Sequence, residues 1–208
     1  MVELKPLEAS DKEQFIKDNQ EAFNYGALEE FGMRDNHFEE DEQIISRETI
    51  ENSIKDGEAY RIIFDGEKEG GLVIRTQGTK GGLDLLFVSP KAHSKGIGYA
   101  AWCEVEKLHP EVTLWETVTP YFEKRNIHFY VNRCGFHIVE FYNSHHPDPN
   151  DPTAAKLWTK KTVSSQKACS DLKSGLSGNS FPLMLSFVPE LFLQQHQLRS
   201  PPSLDKSQ

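Results

Sequence analysis

HSKGIGYAAW, residues 93–102, decides how the rest of this chain is read. Gly96 and Gly98 stand two apart, after an apolar run, LDLLFV (83–88), and at the start of a helical pattern. Ile97, Ala100, Ala101, Val105 and Leu108 recur at helical spacing, and Pro110 stops the helix. The first turn of a helix has backbone N–H groups without intrahelical partners and the positive end of the macrodipole. Glycines there let a phosphate come close to the backbone, and Lys95 adds a positive charge. The stretch reads as an anion cradle, with a plain helix-entry turn as the alternative.

Outward from the cradle, strands and helices alternate in type. VELKPL (2–7) is a short alternating strand. Ser10 with Glu13 suggests a capping box, opening a helix that carries Phe15, Ile16, Asn19 and Phe23 on one side and ends near Gly26. Residues 27–42 are polar and acidic and read as a loop. Ile44, Ile45, Ile50 and Ile54 mark a second helix running to about Lys55, with Gly57 as its stop. AYRIIF (59–64) and GLVIRT (71–76) form a hairpin, TKGG a turn, and LDLLFV a strand buried on both faces. VTLWETV (112–118) is a strand, and Pro120 opens a helix that Gly135 ends. FHIVEFY (136–142) and AAKLWTKKTV (154–163) complete the set. The expected organisation is one domain over 1–163 and a Ser/Pro-containing appendage over 164–208, disordered or loosely docked. Its apolar patch, FPLMLSFVPELFL (181–193), can dock on the domain or on a partner.

Composition narrows the function. A net charge of −9 argues against neutralising the phosphates of a nucleic acid and suits a cationic substrate. Cys103, Cys134 and Cys169 have no metal-type spacing and suit a reducing compartment with free thiols. His145, His146 and Asp148 lie in a proline-stiffened polar loop, so no metal site is expected. The first residues have no apolar h-region, and no run reaches about 18 apolar residues. A cytoplasmic chain that avoids membranes is therefore expected, with room for a homodimer.

Three phosphate-binding patterns compete for residues 93–102. A Walker loop requires Gly-Lys-Ser/Thr, and the order here is Lys95-Gly96. A dinucleotide fingerprint matches Gly96, Gly98 and Ala101, but its first glycine should end the strand, and SPKAHSK intervenes. VSPKAHSKGIGYAA (88–101) resembles the coenzyme A pyrophosphate loop of the GNAT superfamily of N-acetyltransferases, Arg/Gln-x-x-Gly-x-Gly/Ala, with His93 at the Arg/Gln position. RNIHFYVNRCGF (125–136) resembles the family's helix-to-strand segment, Phe/Leu-Tyr-x-x-x-Gly-Phe. The order of elements over residues 1 to about 163 is also similar to the family's.

The resemblance implies an α/β (α+β) fold: a mixed, mostly antiparallel central sheet flanked by helices, with a splayed strand pair, 83–88 and 112–118, holding acetyl-CoA. The backbone of Leu86, Phe87 and Val88 would pair with the pantetheine arm. His93, Ser94, Lys95, Gly96, Ile97, Gly98 and Tyr99 would surround the pyrophosphate, and Asn126 would hydrogen-bond the pantetheine, with a plain polar helix face as the alternative. Tyr130 is the candidate acid for the departing thiolate, but four residues, VNRC, separate it from Gly135 where the pattern has three. Either the helix carries an extra residue or Tyr130 is core. Glu116 is the candidate base or proton relay, with a solvated carboxylate as the alternative; Asp84 lies on the other strand. The acidic run Glu39, Glu40, Asp41, Glu42 stands where the family builds its acceptor lip. The implied activity is acetyl transfer to a primary amine of a small molecule or peptide by direct attack. A non-catalytic acyl-CoA sensor of the same fold is the alternative.

Overall fold

The computed structural model describes residues 1–31, 43–120, 124–141 and 182–187. In chain order these form β1 (Val2–Pro6), α1 (Lys12–Phe31), α2 (Arg47–Asp56), β2 (Glu58–Phe64), β3 (Glu67–Gln77), β4 (Lys80–Val88), α3 (Ile97–Leu108), β5 (Leu114–Pro120), α4 (Lys124–His128), β6 (His137–Phe141) and β7 (Pro182–Phe187). The strands make one 7-stranded sheet in the order β1-β2-β3-β4-β5-β7-β6. Every neighbouring pair is antiparallel except β4–β5. This is the mixed, mostly antiparallel sheet that the resemblance implied.

Each face of the sheet buries its own core. On one, α3 and the segment after β5 cover Leu72, Ile74, Leu83 and Trp115; Trp102 lies 5.3 Å from Trp115 and 5.1 Å from Phe136, ring centre to ring centre. On the other, α1 and α2 bring Phe15, Ile16 and Ile50 onto Val73, Leu85 and Phe87. Alternation along the strands sorts these side chains between the faces. Arg61 of β2 is buried beneath α1, bonded to Asp11 at 2.7 Å and Asp18 at 2.8 Å, with its guanidinium 5.1 Å from the Phe15 ring centre. Two carboxylates and an aromatic face offset the desolvation of that charge.

Several local expectations are corrected. Ser10 does not cap α1: it lies in a 3-10 turn, and its hydroxyl donates to Glu8 at 3.4 Å. α1 continues past Gly26 to Phe31, because Ala27 is buried and Tyr25 bonds Glu29 one turn on. Gly57 follows α2 but is extended (φ −131°); a side chain is excluded there because its Cβ would stand 2.6 Å from the Ile74 carbonyl. Gly81 and Gly82 belong to β4 rather than to a turn.

The division at residue 163 is corrected as well. Pro182–Phe187, assigned to the appendage, is β7, inserted antiparallel between β5 and β6. An apolar run with proline at its first position satisfies two strand edges at once, which a loosely docked tail would leave unpaired. The expected strand 154–163, the acidic run 39–42 and the loop with His145, His146 and Asp148 lie outside the described residues.

Candidate active site

The site is an opening between two strands. β4 and β5 pair only from Lys80↔Leu114 to Leu83↔Thr117. Beyond that, β4 stays with β3 as far as Val88↔Gly70, and β5 stays with β7 as far as Pro120↔Pro182. A bulge begins the divergence: Ile74 faces Leu83 and Val73 faces Leu85, so Asp84 is the extra residue. Bulges add twist and re-aim the strand that carries them. The narrow end is clamped. The Thr117 hydroxyl donates to the Leu83 carbonyl at 2.8 Å, and Trp115 lies so close to Gly81 that a Cβ there would stand 2.4 Å from its ring. Asp84 is held by Arg75 at 2.7 Å; burial raises its pKa and Arg75 only partly offsets that.

The cradle lies at the wide end. Gly96 is left-handed (φ 75°) and caps α3, and Ser94 is left-handed as well (φ 65°). A non-glycine in this region is strained, and alternating left-handed residues turn successive N–H groups toward one side. The N–H groups of Ile97, Gly98 and Tyr99 precede the first intrahelical bond, Ala100 N–H to Gly96 C=O at 3.0 Å. Ser94, Lys95 and Gly96 are exposed, while the Ile97 side chain is sunk in the core and fixes the turn. Tyr99 points outward, with the Arg133 guanidinium 5.6 Å from its ring centre. Asn126 is exposed on α4.

His93 is not free. Its Nε2 is 3.0 Å from the Val88 carbonyl and its Nδ1 is 2.8 Å from Arg125 Nη2. Arg125 also pairs with Glu29, which accepts from the Tyr25 hydroxyl at 2.7 Å. The three backbone residues assigned to the pantetheine are not equivalent. The Ser89 N–H donates to Glu69 of β3 at 2.7 Å, so alternation turns Leu86 and Val88 toward the opening and Phe87 toward β3. The Phe87 carbonyl indeed faces Gly70, whose Cβ would stand 2.3 Å away. Phe87 is therefore removed from the pantetheine-pairing edge, and the Val88 carbonyl is shared with His93.

The extra residue before Gly135 is a π-turn. Phe129–Arg133 is π-helical, closed by Cys134 N–H to Phe129 C=O at 3.1 Å. A π-turn accommodates one residue more than an α-turn and is frequent at functional sites. It carries Tyr130 inward to 9% exposure among Phe129, Phe136 and Trp102. Burial raises the phenol's pKa well above 10.0, Cys134 adds to this, and the Thr117 side chain partly opposes it. Tyr130 is thus packed in the core on the same face as Thr117, the last β5 residue paired with β4.

Glu116, half-buried, lies opposite Gly82 on the face away from Trp115. It and Tyr130 flank the narrow end from opposite faces. Thr117 was not singled out by sequence, although alternation in LWETVTP puts it on the Trp115 face. The Tyr25–Glu29–Arg125–His93 chain had no sequence signal, since it joins segments about 100 residues apart.

No family model matches the chain. The uncharacterized protein YrkN of Bacillus subtilis strain 168 is 48% identical over 151 residues, which is 71% of this chain and 79% of YrkN. The ribosomal-protein-S18-alanine N-acetyltransferase from Escherichia coli is similar in structure, with a TM-score of 0.55 at 14% identity over 90% of this chain and 94% of that one. PaiA N-acetyltransferase from Thermoplasma acidophilum, solved in complex with coenzyme A, has a TM-score of 0.55 at 14% identity, over 91% and 99%. Arabidopsis thaliana Naa50, in complex with the bisubstrate analogue CoA-Ac-MVNAL, has a TM-score of 0.55 at 12% identity, over 90% and 99%. The chain belongs to one family with YrkN and has the fold of the GNAT superfamily of N-acetyltransferases.

Proposed function

We propose that the protein transfers an acetyl group from acetyl-CoA to a primary amine of a small molecule or peptide. The observation that carries this is the parting of β4 from β5 after Leu83↔Thr117, beside an exposed left-handed helix entry at Ser94–Gly96. The residues fit the cofactor. N–H groups of Lys95 to Tyr99 meet the pyrophosphate, and Leu86 with the Val88 N–H offers a free strand edge to the amide-rich arm. The amine nitrogen attacks the thioester carbonyl, its C–N bond forms as the C–S bond breaks, and the thiolate leaves. Glu116 takes the amine proton through water, and Tyr130 delivers a proton to the sulfur. Coenzyme A complexes of PaiA and Naa50, and the amine-directed activity named for the ribosomal-protein enzyme, support this choice. Among the described residues no helix is long and apolar enough to cross a membrane, and we place the activity in the cytoplasm.

The test is thermal shift with acetyl-CoA followed by thiol release over a panel of primary amines. Acetyl-CoA should raise Tm, and Gly96→Pro, which cannot adopt φ 75°, should abolish the shift. No shift in the wild type overturns the proposal. A shift without thiol release on any amine replaces it with the acyl-CoA sensor.

A further inference from the structure

We propose that Arg125 supplies the guanidinium contact to the pyrophosphate of the bound coenzyme A thioester, exchanging Glu29 for phosphate when the cofactor enters. The inference rests on the acyl-CoA reading above.

His93 occupies the position where the resembled loop carries Arg or Gln, and the structure shows why its ring is a poor substitute. Nε2 meets a carbonyl, which only accepts, so Nε2 carries the proton. Nδ1 meets a guanidinium, which only donates, so Nδ1 accepts. Both nitrogens are committed, and neither donates toward the cradle. What the ring does is hold Arg125 at the foot of the loop, three residues before Gly96. A second contact places the continuation of α4 into the π-turn there. Phe129, one turn after Arg125, lies 3.4 Å from where a Gly98 Cβ would stand. Arg125 and Phe129 therefore run along the first turn of α3.

The present partner of Arg125 is exchangeable. The Arg125 and Glu29 side chains are 49% and 45% exposed. An ion pair in that setting is weak, whereas a guanidinium binds a phosphate through two parallel hydrogen bonds. Glu29 keeps its bond from Tyr25 when Arg125 leaves, and so is not stranded. The ring edge of Tyr25, 5.4 Å from His93 centre to centre, braces the imidazole meanwhile.

The experiment is calorimetric titration of the full chain with coenzyme A and with pantetheine, which lacks the pyrophosphate. Arg125→Gln should weaken coenzyme A about ten- to a hundred-fold, the loss of a charge-assisted bond, and leave pantetheine within about twofold. Glu29→Gln removes the competing carboxylate and should tighten coenzyme A by a few-fold. If Arg125 were only a brace between α1 and α4, the two substitutions would shift affinity in the same direction and would affect both ligands. Either of those results, or coenzyme A binding by Arg125→Gln equal to the wild type's, overturns the proposal. A wild-type chain that binds neither ligand overturns the acyl-CoA reading itself.

Discussion

Tyr130→Phe separates the core packing of this residue from the acid role proposed for it. The substitution keeps the ring, with its contacts to Phe129 and Phe136 at 5.2 and 5.5 Å between centres, and removes one hydroxyl. Thr117 keeps its bond to the Leu83 carbonyl, so no buried partner is orphaned. The stability cost should be about 0.5–1.5 kcal/mol, or roughly 2–4 °C in Tm for each kcal/mol. Loss of a proton donor from the transition state should lower kcat roughly a hundred- to ten-thousand-fold, with KM for acetyl-CoA little changed. Because burial holds the phenol protonated well above pH 10.0, the deficit should persist across neutral pH. Tyr130→Ala, by contrast, empties a core site and should cost about 3–5 kcal/mol. The assays are thiol release under saturating amine and urea unfolding of the same preparations. A Phe variant with wild-type kcat refutes the catalytic assignment, leaving the π-turn as a device for packing alone.

Three further expectations concern stability. Ending the chain at Val163 removes β7 and leaves β5 and β6 without the strand between them, so the urea midpoint should fall by the equivalent of several kcal/mol; an unchanged midpoint refutes the strand assignment. Asn19 is 0% exposed and neither amide atom has a partner among the described residues; Asn19→Leu should therefore raise the unfolding free energy by about 1–3 kcal/mol, and a loss of stability would show that a bound water or ligand satisfies the amide. Burial favours the protonated form of Asp11, but hydrogen bonds from Arg61 and Lys68 outweigh it and hold the pKa below 3.8. A depressed carboxylate contributes its stability above the unfolded-state pKa and loses it as pH falls through the folded one. Unfolding free energy should thus decline below about pH 4, and Asp11→Asn should flatten that limb; an equally steep limb in the variant would reassign it to other carboxylates.

Much of the fold was legible because it is local. The cradle follows from glycines at a helix start, the β2–β3 hairpin from two apolar runs around DGEKEG, though its turn proves to be only the left-handed Asp65-Gly66 and 67–70 belongs to β3, and α3 follows from its apolar spacing. These depend on backbone preferences of a few neighbouring residues, which sequence states directly. The four-residue gap between Tyr130 and Gly135 was also visible, with an extra helical residue or a core Tyr130 as its two candidate causes. Its resolution required the hydrogen bonds of Cys134 and Phe136 back to Phe129 and Tyr130, which only the folded segment defines. The course of PLMLSF had the same character: an apolar run names a need for burial but not the edges that meet it, and the vacancy between β5 and β6 is a property of the whole sheet. The edge of β4 that faces the opening depends on one bulge at Asp84, because a single added residue reverses which face every later side chain occupies. The bracing of His93 by Tyr25, Glu29 and Arg125 was beyond any local reading. Its members come from α1, the β4–α3 loop and α4, and only the sheet they all pack around brings them within hydrogen-bond distance.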